Sequence, residues 1–289
     1  MRSLLFVPAD GGNRLDKAMA SGADAVIVDL EDSIVPERKQ HARAAALEFL
    51  KGNAANKNRP RILVRINGFE TGMTDTDLDA IVAGKPDAIV FPKSEGGASV
   101  IHLDAKLTAR EALAGLPEGS IKILAQAVES AAGLFSAGTF RDASARLIGM
   151  TWGPEDLSAE LGAQANRDEA GLLTEPYRLA RNMCLFGAAA AKLPAIETVY
   201  VDFRDSEGLR RDTQEARRDG FTGRLAIHPA QVPVINEVFT PTPQEIENAK
   251  RLIAAFAAKP DAGAVGIDGK MFDRPHLIRA QRLLASMKA

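Results

Sequence analysis

Seven short apolar runs in this chain each end in a charged or polar residue, and an eighth, Ser3–Pro8 (SLLFVP), opens the series. The seven are Ala25–Asp32 (AVIVDLED), Arg61–Asn67 (RILVRIN), Ala88–Lys93 (AIVFPK), Lys122–Glu129 (KILAQAVE), Arg146–Asp156 (RLIGMTWGPED), Thr198–Asp202 (TVYVD) and Arg224–Pro229 (RLAIHP). Apolar residues on consecutive positions suit strands buried on both faces. Eight such strands separated by helical patterns are the signature of a (β/α)8 barrel. Polar residues at the carboxyl ends of barrel strands read as catalytic rather than structural. The pattern therefore predicts that Asp29, Glu31, Asp32, Arg65, Lys93, Glu129, Asp156, Asp202 and His228 converge on one mouth.

The boundaries follow from periodicity. Strands are expected at Ser3–Val7, Ala25–Leu30, Ile62–Ile66, Ala88–Phe91, Ile121–Ala127, Leu147–Thr151, Thr198–Val201 and Arg224–Ile227. Helices are expected near Arg14–Ser21, Pro36–Leu50 and Asp75–Val82. Pro36 suits a first helical turn, where its missing N–H costs nothing. The longest insertion, Gly153–Ala195, carries an Ala-rich helix at Tyr177–Lys192 after a polar, Gly-rich stretch expected as a loop over the site. Beyond the last strand, helices are expected at Pro229–Asn236, Pro243–Ala258 and His276–Lys288, the last preceded by a Gly-rich tract at Ala262–Pro275. The expectation is a barrel over residues 1–235 with a C-terminal helical lid, 236–289, packed on the barrel or on a neighbouring subunit.

Composition narrows the function. A length of 289 residues suits a barrel with an extension, and 46% apolar residues suffice for a large core. A net charge of −2 gives no electrostatic reason to expect nucleic acid or an anionic membrane as partner. The single cysteine, Cys184, rules out an intramolecular disulfide framework and fits a reducing cytoplasm. The opening apolar run is too short for the core of an export signal, and no stretch reaches bilayer-spanning length. The expected location is cytoplasmic.

Glu129 and Asp156 end neighbouring strands, and two carboxylates there suit Mg2+, which keeps several waters for substrate oxygens to replace. The alternative is two solvated acids or ion-pair partners at the rim. Cys184 and the four histidines show no zinc-like spacing, so only an oxygen-ligand metal is expected. Arg65, flanked by apolar residues, needs a partner. A guanidinium matches a carboxylate with two bonds, so it either grips a substrate or forms an ion pair with Asp29 or Glu31. Asp29, Glu31 and Asp32 could orient Arg65 or tune a water, and Asp32 or Ser33 could cap a helix. Lys93 is a Schiff-base nucleophile in principle, but with carboxylates nearby it is expected to pair with them. His228 is catalytic or a structural hydrogen-bonding residue. Arg14 and Lys17, one turn apart, are phosphate ligands or a solvated basic face. The phosphate-binding spacing GxxxxGK[ST] is missing, so nucleotide hydrolysis has no support.

The order and spacing of Arg2–Pro8, Gly22–Ser33, Val64–Asn67, Pro92–Lys93, Val128–Gly133, Trp152–Gly162, Gly220–Gln231 and Ile267–Asp273 make the chain resemble the citrate lyase beta-subunit-like proteins of the HpcH/HpaI aldolase superfamily. Malyl-CoA and citramalyl-CoA lyases are relatives there. The resemblance implies a Mg2+ site on Glu129 and Asp156, a substrate-carboxylate clamp at Arg65, and CoA phosphates near Arg14 and Lys17. It also implies a catalytic acid at Asp273 supplied by a neighbouring subunit of a homotrimer or hexamer. Two departures stand out: VPADGG follows the first strand where many members have VPG, and Ser130 follows Glu129 where Thr is usual.

The implied reaction is cleavage of a 3-hydroxyacyl thioester, on CoA or an acyl carrier, into acetyl-CoA and a 2-oxo acid. Arg65 would fix the carboxylate. Asp273 would deliver a proton to the enolate if desolvation raises its pKa. Thioester hydrolysis on the same scaffold, or a non-catalytic acyl-binding subunit, are the alternatives.

Overall fold

The computed structural model describes residues 1–287. Strands β1 (Ser3–Pro8), β2 (Ala25–Asp29), β3 (Arg61–Arg65), β4 (Ala88–Phe91), β5 (Lys122–Val128), β6 (Leu147–Trp152), β7 (Ile196–Glu197) and β8 (Gly223–Ala226) form one parallel sheet. Its order is β6-β5-β4-β3-β2-β1-β8-β7, and a parallel bridge from Met150 to Ala195 brings its two ends together into a nearly closed barrel. The Met150 N–H donates to the Pro194 carbonyl at 2.9 Å across that seam. This is the (β/α)8 architecture, with helices α1 (Asn13–Met19), α2 (Lys39–Asn53), α3 (Thr74–Ile81), α4 (Gly97–Leu113), α5 (Ala131–Ser136), α6 (Pro154–Leu161), α7 (Glu175–Ala190), α8 (Ser206–Asp219) and α9 (Val232–Phe239) alternating with the strands.

The two-sided burial read from the runs is realised as two layers. Leu4, Ile27, Leu63, Val90 and Leu124 form one buried cluster, and their strand neighbours Val26, Val28, Ile62, Val64 and Ile89 belong to a second, with helix residues. Alternation along each strand produces this division. Register also builds the mouth, because Pro8 pairs with Asp29 and Asp29 with Arg65. Paired residues of adjacent strands face the same way, so the acid of β2 and the base of β3 meet by register alone.

Several regions depart from the sequence reading. The seventh strand is Ile196–Glu197, not Thr198–Val201, because only these two residues find partners on β8. Helices α4, α5 and α8 occupy stretches where no helix was expected. Helix α4 buries Val100, Leu103 and Leu107 at helical spacing, whereas in charged α8 only Leu209, Thr213 and Ala216 with Gly208 are buried. The stretch before Tyr177 also contains α6, capped at its end by Gly162 in the left-handed conformation.

The first compact unit is Met1–Phe239, and a second begins at Thr240. In the second, α10 (Pro243–Ala257) starts with a capping box between Thr242 and Glu245. The Gly-rich tract is a hairpin of β9 (Ala264–Ile267) and β10 (Lys270–Asp273) rather than an irregular segment. Its turn is Asp268–Gly269, both with positive φ (51° and 74°), the pair that a tight hairpin favours. Helix α11 (Arg274–Ser286) follows, and Leu252, Phe256, Val265 and Ala280 form the core of this unit. The last expected residue of that helix, Lys288, lies outside the described residues. Among the described residues no helix is long and apolar enough to cross a membrane.

Candidate functional site

Arg65, at the end of β3, donates from Nε and Nη2 to the two oxygens of Asp29, both at 2.8 Å. Its Nη1 lies 2.9 Å from Glu31 and 3.4 Å from Asp32. Its guanidinium also sits 4.8 Å from the centre of the Phe6 ring. Asp29 further accepts the backbone N–H groups of Glu31 and Ser33. Burial pushes Asp29 up, but the bonds from Arg65 outweigh it and hold the carboxyl below its ordinary value. The ion-pair alternative for Arg65 is thus what the structure shows, and Asp32 is its one well-exposed partner. Behind this cluster the Lys39 ammonium is buried, donating to the carbonyls of Leu30 and Glu31 and to the Asn67 side chain. It pins the acidic loop from below.

Lys93 is the pivot of the other half. It is not a glycine, yet its φ is 46°. Such a conformation costs on the order of 1–2 kcal/mol and persists only where neighbours enforce it. Here it points the Lys93 N–H at Glu129 Oε2, 2.9 Å away. The Lys93 ammonium meets Glu31 at 2.7 Å and Asp156 at 3.2 Å. The expected pairing of Lys93 with carboxylates is the observed one.

Glu129 follows β5 and is buried, with its other oxygen accepting from Gln126 at 2.5 Å. A side-chain carbon at Gly153 would come within 2.6 Å of that carboxylate, so glycine is what lets the β6–α6 turn approach it. Burial and the charges of Glu31 and Asp156 push Glu129 up to about 8, despite the Lys93 N–H. Burial likewise pushes Glu31 up to about 7, against the pull of Arg65 and Lys93. Asp156 sits in the first turn of α6 rather than on the strand itself, where a helix N-terminus favours negative charge.

Lys93, Glu129 and Asp156 line one cavity of about 290 Å3, together with Phe69, Ser99 and Ser130. Glu70, Glu95 and Glu160 complete its wall. The donor set suits a hard cation: the two carboxylates share a wall that carries one ammonium, Lys93, and burial with the charges of Glu31 and Asp156 disfavours an uncompensated charge on Glu129. Among the described residues no group of three or more His, Cys, Asp or Glu side chains is placed to cage a metal. The fit is therefore to an ion bound by one or two carboxylates and otherwise by water and ligand, as Mg2+ is.

Two residues expected at the mouth have other roles. Asp202 is exposed beyond the shortened β7 and accepts the Arg204 N–H. His228 caps the short helix Pro229–Gln231, its Nδ1 accepting the Ala230 N–H, and its ring stacks on Phe203. Arg14 and Lys17 are exposed on the same face of α1, with no ion pair among the described residues. Asp273 caps α11 and bonds to His276. That hydrogen bond holds Asp273 below its ordinary value. Sequence reasoning missed Gln126, Lys39, Phe69, Glu70, Glu95 and Glu160. Gln126 alone carried a signal, a lone amide in an apolar strand three residues before Glu129.

Comparison with known proteins adds to this geometry. The family model described as HpcH/HpaI aldolase/citrate lyase matches residues 2–229. A (3S)-malyl-CoA thioesterase from Cereibacter sphaeroides is 37% identical over 100% of this chain and 95% of its own. The citrate lyase subunit beta of Leuconostoc mesenteroides subsp. cremoris is 35% identical over 98% of this chain and 92% of its own. Among solved structures, protein CitE from Mycobacterium tuberculosis, in complex with magnesium, acetoacetate and coenzyme A, superposes with a TM-score of 0.78 at 32% identity. It covers 100% of this chain and 98% of that one.

Proposed function

The chain belongs to the HpcH/HpaI aldolase/citrate lyase family, and from that premise we propose that it is a Mg2+-dependent carbon–carbon lyase acting on a 3-hydroxyacyl-CoA such as citramalyl-CoA or malyl-CoA. The products would be acetyl-CoA and a 2-oxo acid. The observation that carries the reading is the wall shared by Glu129 and Asp156, crowded with carboxylates and supplied with one ammonium, Lys93. Glu129 and Asp156 would hold the metal. Bound there, Mg2+ supplies Lewis acidity toward the substrate's hydroxyl or keto oxygen.

The protein's own groups then divide the work. Gln126 and the Lys93 N–H each hold one oxygen of Glu129 and so fix its direction. Lys93 bridges Glu31 and Asp156 as counter-charge to both. Arg65 Nη1, shared between Glu31 at 2.9 Å and exposed Asp32 at 3.4 Å, would exchange Asp32 for a substrate carboxylate while Asp29 keeps the rest of the guanidinium in place. Arg14 and Lys17 would meet the CoA phosphates. Asp273, lowered by His276, suits the carboxylate form, which takes a proton from the acetyl methyl in the condensing direction and returns it in cleavage.

The reading places Asp273 at the site of a neighbouring subunit in a homotrimer or hexamer, in the cytoplasm. Mixing inactive Asp273→Ala with inactive Glu129→Gln under subunit exchange tests it. Donation in trans returns part of the activity, and donation in cis returns none. Thioester hydrolysis is the second reading, favoured by the 37% identical thioesterase. Incubation with citramalyl-CoA and malyl-CoA separates the two: the lyase releases a 2-oxo acid and acetyl-CoA, and EDTA abolishes the release. A hydrolase releases the intact hydroxy acid and free CoA.

A further inference from the structure

The proposed chemistry gives Asp273 a proton to take and return, and a histidine one turn along α11 is bonded to it in a way that helix capping alone does not require. His276 lies three residues on, so the two side chains meet on one face of the helix start. The Asp273 side chain accepts the His276 N–H, and His276 Nδ1 accepts the Asp273 N–H at 3.3 Å, which closes a capping box. A glutamine would close that box equally well. Nδ1, however, also bonds to Asp273 Oδ1. A neutral imidazole nitrogen is either a donor or an acceptor. The bond from the Asp273 N–H needs a bare Nδ1, and a bond to a carboxylate needs Nδ1–H. The two bonds are therefore alternatives that differ in where one proton sits: on Nδ1 beside a carboxylate, or on Oδ1 beside a bare nitrogen.

The ring is both held and reachable by water. Phe272 meets it edge-on, with ring centres 5.3 Å apart and planes at 87°. The side chain is 36% exposed and lines a cavity of about 460 Å3 between α10, the hairpin and α11. Its Nε2 has no hydrogen-bond partner among the described residues. The charged groups on the cavity wall are Glu245 and Arg251 from α10, Asp268 and Lys270 from the hairpin, and Arg279 from α11. Arg251 is paired with Asp268, and Glu245 accepts the Thr242 N–H. It is the bond from His276, ahead of any of these, that holds Asp273 below the ordinary carboxylate range.

Resting on the lyase reading and the place it gives Asp273, we infer that His276 is the positioning residue of the proton transfer: it aims the Asp273 carboxylate and exchanges that carboxylate's proton with water. In the condensing direction a C–H bond of the acetyl methyl breaks, its electron pair stays on carbon as the enolate, and the proton forms an O–H bond on Asp273. The alkoxide that condensation creates takes a proton from water, and Asp273 returns its own to water through the ring. In cleavage Asp273 draws a proton from water by the same route, balanced by the one that the substrate hydroxyl gives up. The electron pair of the broken C–C bond stays on the acetyl carbon, which takes the Asp273 proton and leaves a carboxylate. A further proton on Nε2 turns the ring into an imidazolium, whose positive charge stabilises the carboxylate and weakens it as a base. The competent pair therefore carries one proton, and activity falls as pH drops through the range where histidines gain charge.

The test is the pH dependence of kcat/KM for cleavage of malyl-CoA or citramalyl-CoA at saturating Mg2+, with thermal midpoints read alongside. His276→Gln keeps the capping box and removes the titrating ring. The expected result is an acid-side limb between about pH 5 and 8 in wild type. In His276→Gln the limb moves at least about one unit lower, toward the ordinary carboxylate range, and the midpoint is unchanged. His276→Ala shows the same move with the midpoint a few degrees lower, because the cap is lost as well. A limb that stays within about 0.3 unit of wild type in both variants makes His276 a cap alone and overturns the inference, while the lyase reading stands. NMR titration of the His276 ring reads the pair without turnover. Ring titrations that coincide in wild type and Asp273→Asn overturn the inference too, even where a His276 variant unsettles the cap. A wild type that releases no 2-oxo acid from either thioester overturns the lyase reading and this inference with it.

Discussion

Of the buried charge clusters in the barrel, one at its foot and one at its mouth are built on opposite terms. At the foot, Arg146 precedes β6 and is 2% exposed. Its two Nη atoms grip Glu111 at 2.8 and 2.7 Å, its Nε meets Asp104, and the Ile121 carbonyl and Thr108 hydroxyl take the remaining donors. Glu111 also accepts the N–H groups of Gly119 and Ile121. Burial pushes Glu111 up, but these bonds outweigh it and hold the carboxyl down at about 2. At the mouth, Arg65 and Lys93 face Asp29, Glu31, Asp32, Glu129 and Asp156. There two of the acids are driven up, Glu31 to about 7 and Glu129 to about 8, while Arg65 holds Asp29 down. A cluster with every donor matched serves stability, and one with more acids than cations suits a charged ligand.

Arg146→Met breaks the foot and has the largest expected effect. It strands Glu111 and Asp104 without their partner, and losing one member of a buried pair costs about 3–5 kcal/mol. Urea unfolding should show that loss with or without Mg2+. A loss below about 1 kcal/mol would mean that the foot is not the matched cluster its geometry describes.

Glu129→Gln acts on the mouth in the opposite sense. We expect Mg2+ affinity by calorimetry to fall by about 100-fold or more and turnover to vanish, with the fold retained. Asp156→Asn should follow it less steeply, since Asp156 is more exposed. The pH dependence of stability separates the two clusters further. Glu129 has a folded pKa near 8 against an ordinary 4.5, so between those values the folded chain holds a proton that the unfolded chain has lost. Stability without metal should therefore fall as pH rises through that window. Glu129→Gln should remove part of the fall, and Glu31 keeps the rest. Glu111 has the reverse sign: its contribution is complete above 4.5 and is lost as pH drops toward 2. A metal-free protein whose stability is flat from pH 5 to 8 would erase the contrast between foot and mouth.

How much of this was legible in the sequence depends on whether one strand or several carried the information. Apolar runs ending in polar residues gave β1 to β6 and β8 within a residue or two at most ends, and the convergence of Asp29, Arg65, Lys93 and Glu129 with them. The failures share a cause. Thr198–Asp202 is as apolar and β-branched as a strand, yet pairing depends on a partner's edge, and β8 offers only Gly223 and Arg224. Asp202 and His228 left the site with that shortened edge. Helix α8 was missed because its charged residues leave a narrow buried stripe. The hairpin at Asp268–Gly269 had a readable turn pair that glycine content obscured. Phe69, Glu70, Glu95 and Glu160 sit on loops and helix turns, where no periodicity marks a residue's direction.

Arg65→Lys sharpens the mouth itself. Lysine keeps one charge but cannot make the paired bonds to Asp29 while facing Glu31 and Asp32. The expected cost is about 1.5–3 kcal/mol of stability, the range for hydrogen bonds to charged groups, with kcat/KM reduced by about tenfold or more. If stability falls and kinetics do not, Arg65 is an ion-pair residue alone and the substrate clamp lies elsewhere.

The smallest expected effect falls at the edge of the mouth, at His228 just beyond β8. A histidine there invites a catalytic reading, but its hydrogen bonds are all local. Its Nδ1 accepts the Ala230 N–H, and Gln231 Oε1 accepts the N–H groups of Ile227 and His228. Gln231 in turn donates to the Tyr200 carbonyl, so this cap ties the β8 turn to the loop that replaced the end of β7. Loss of an N-cap acceptor costs about 0.5–2 kcal/mol, and Asn supplies an equivalent acceptor. His228→Ala should therefore lower the thermal midpoint by a few degrees, with kcat within about twofold of wild type, and His228→Asn should restore the midpoint. A loss of kcat beyond about tenfold in both variants, with the midpoint unchanged, would extend the chemistry to the β7–β8 side. The acid-rich mouth over β2 to β6 would then be half of the site rather than the whole of it.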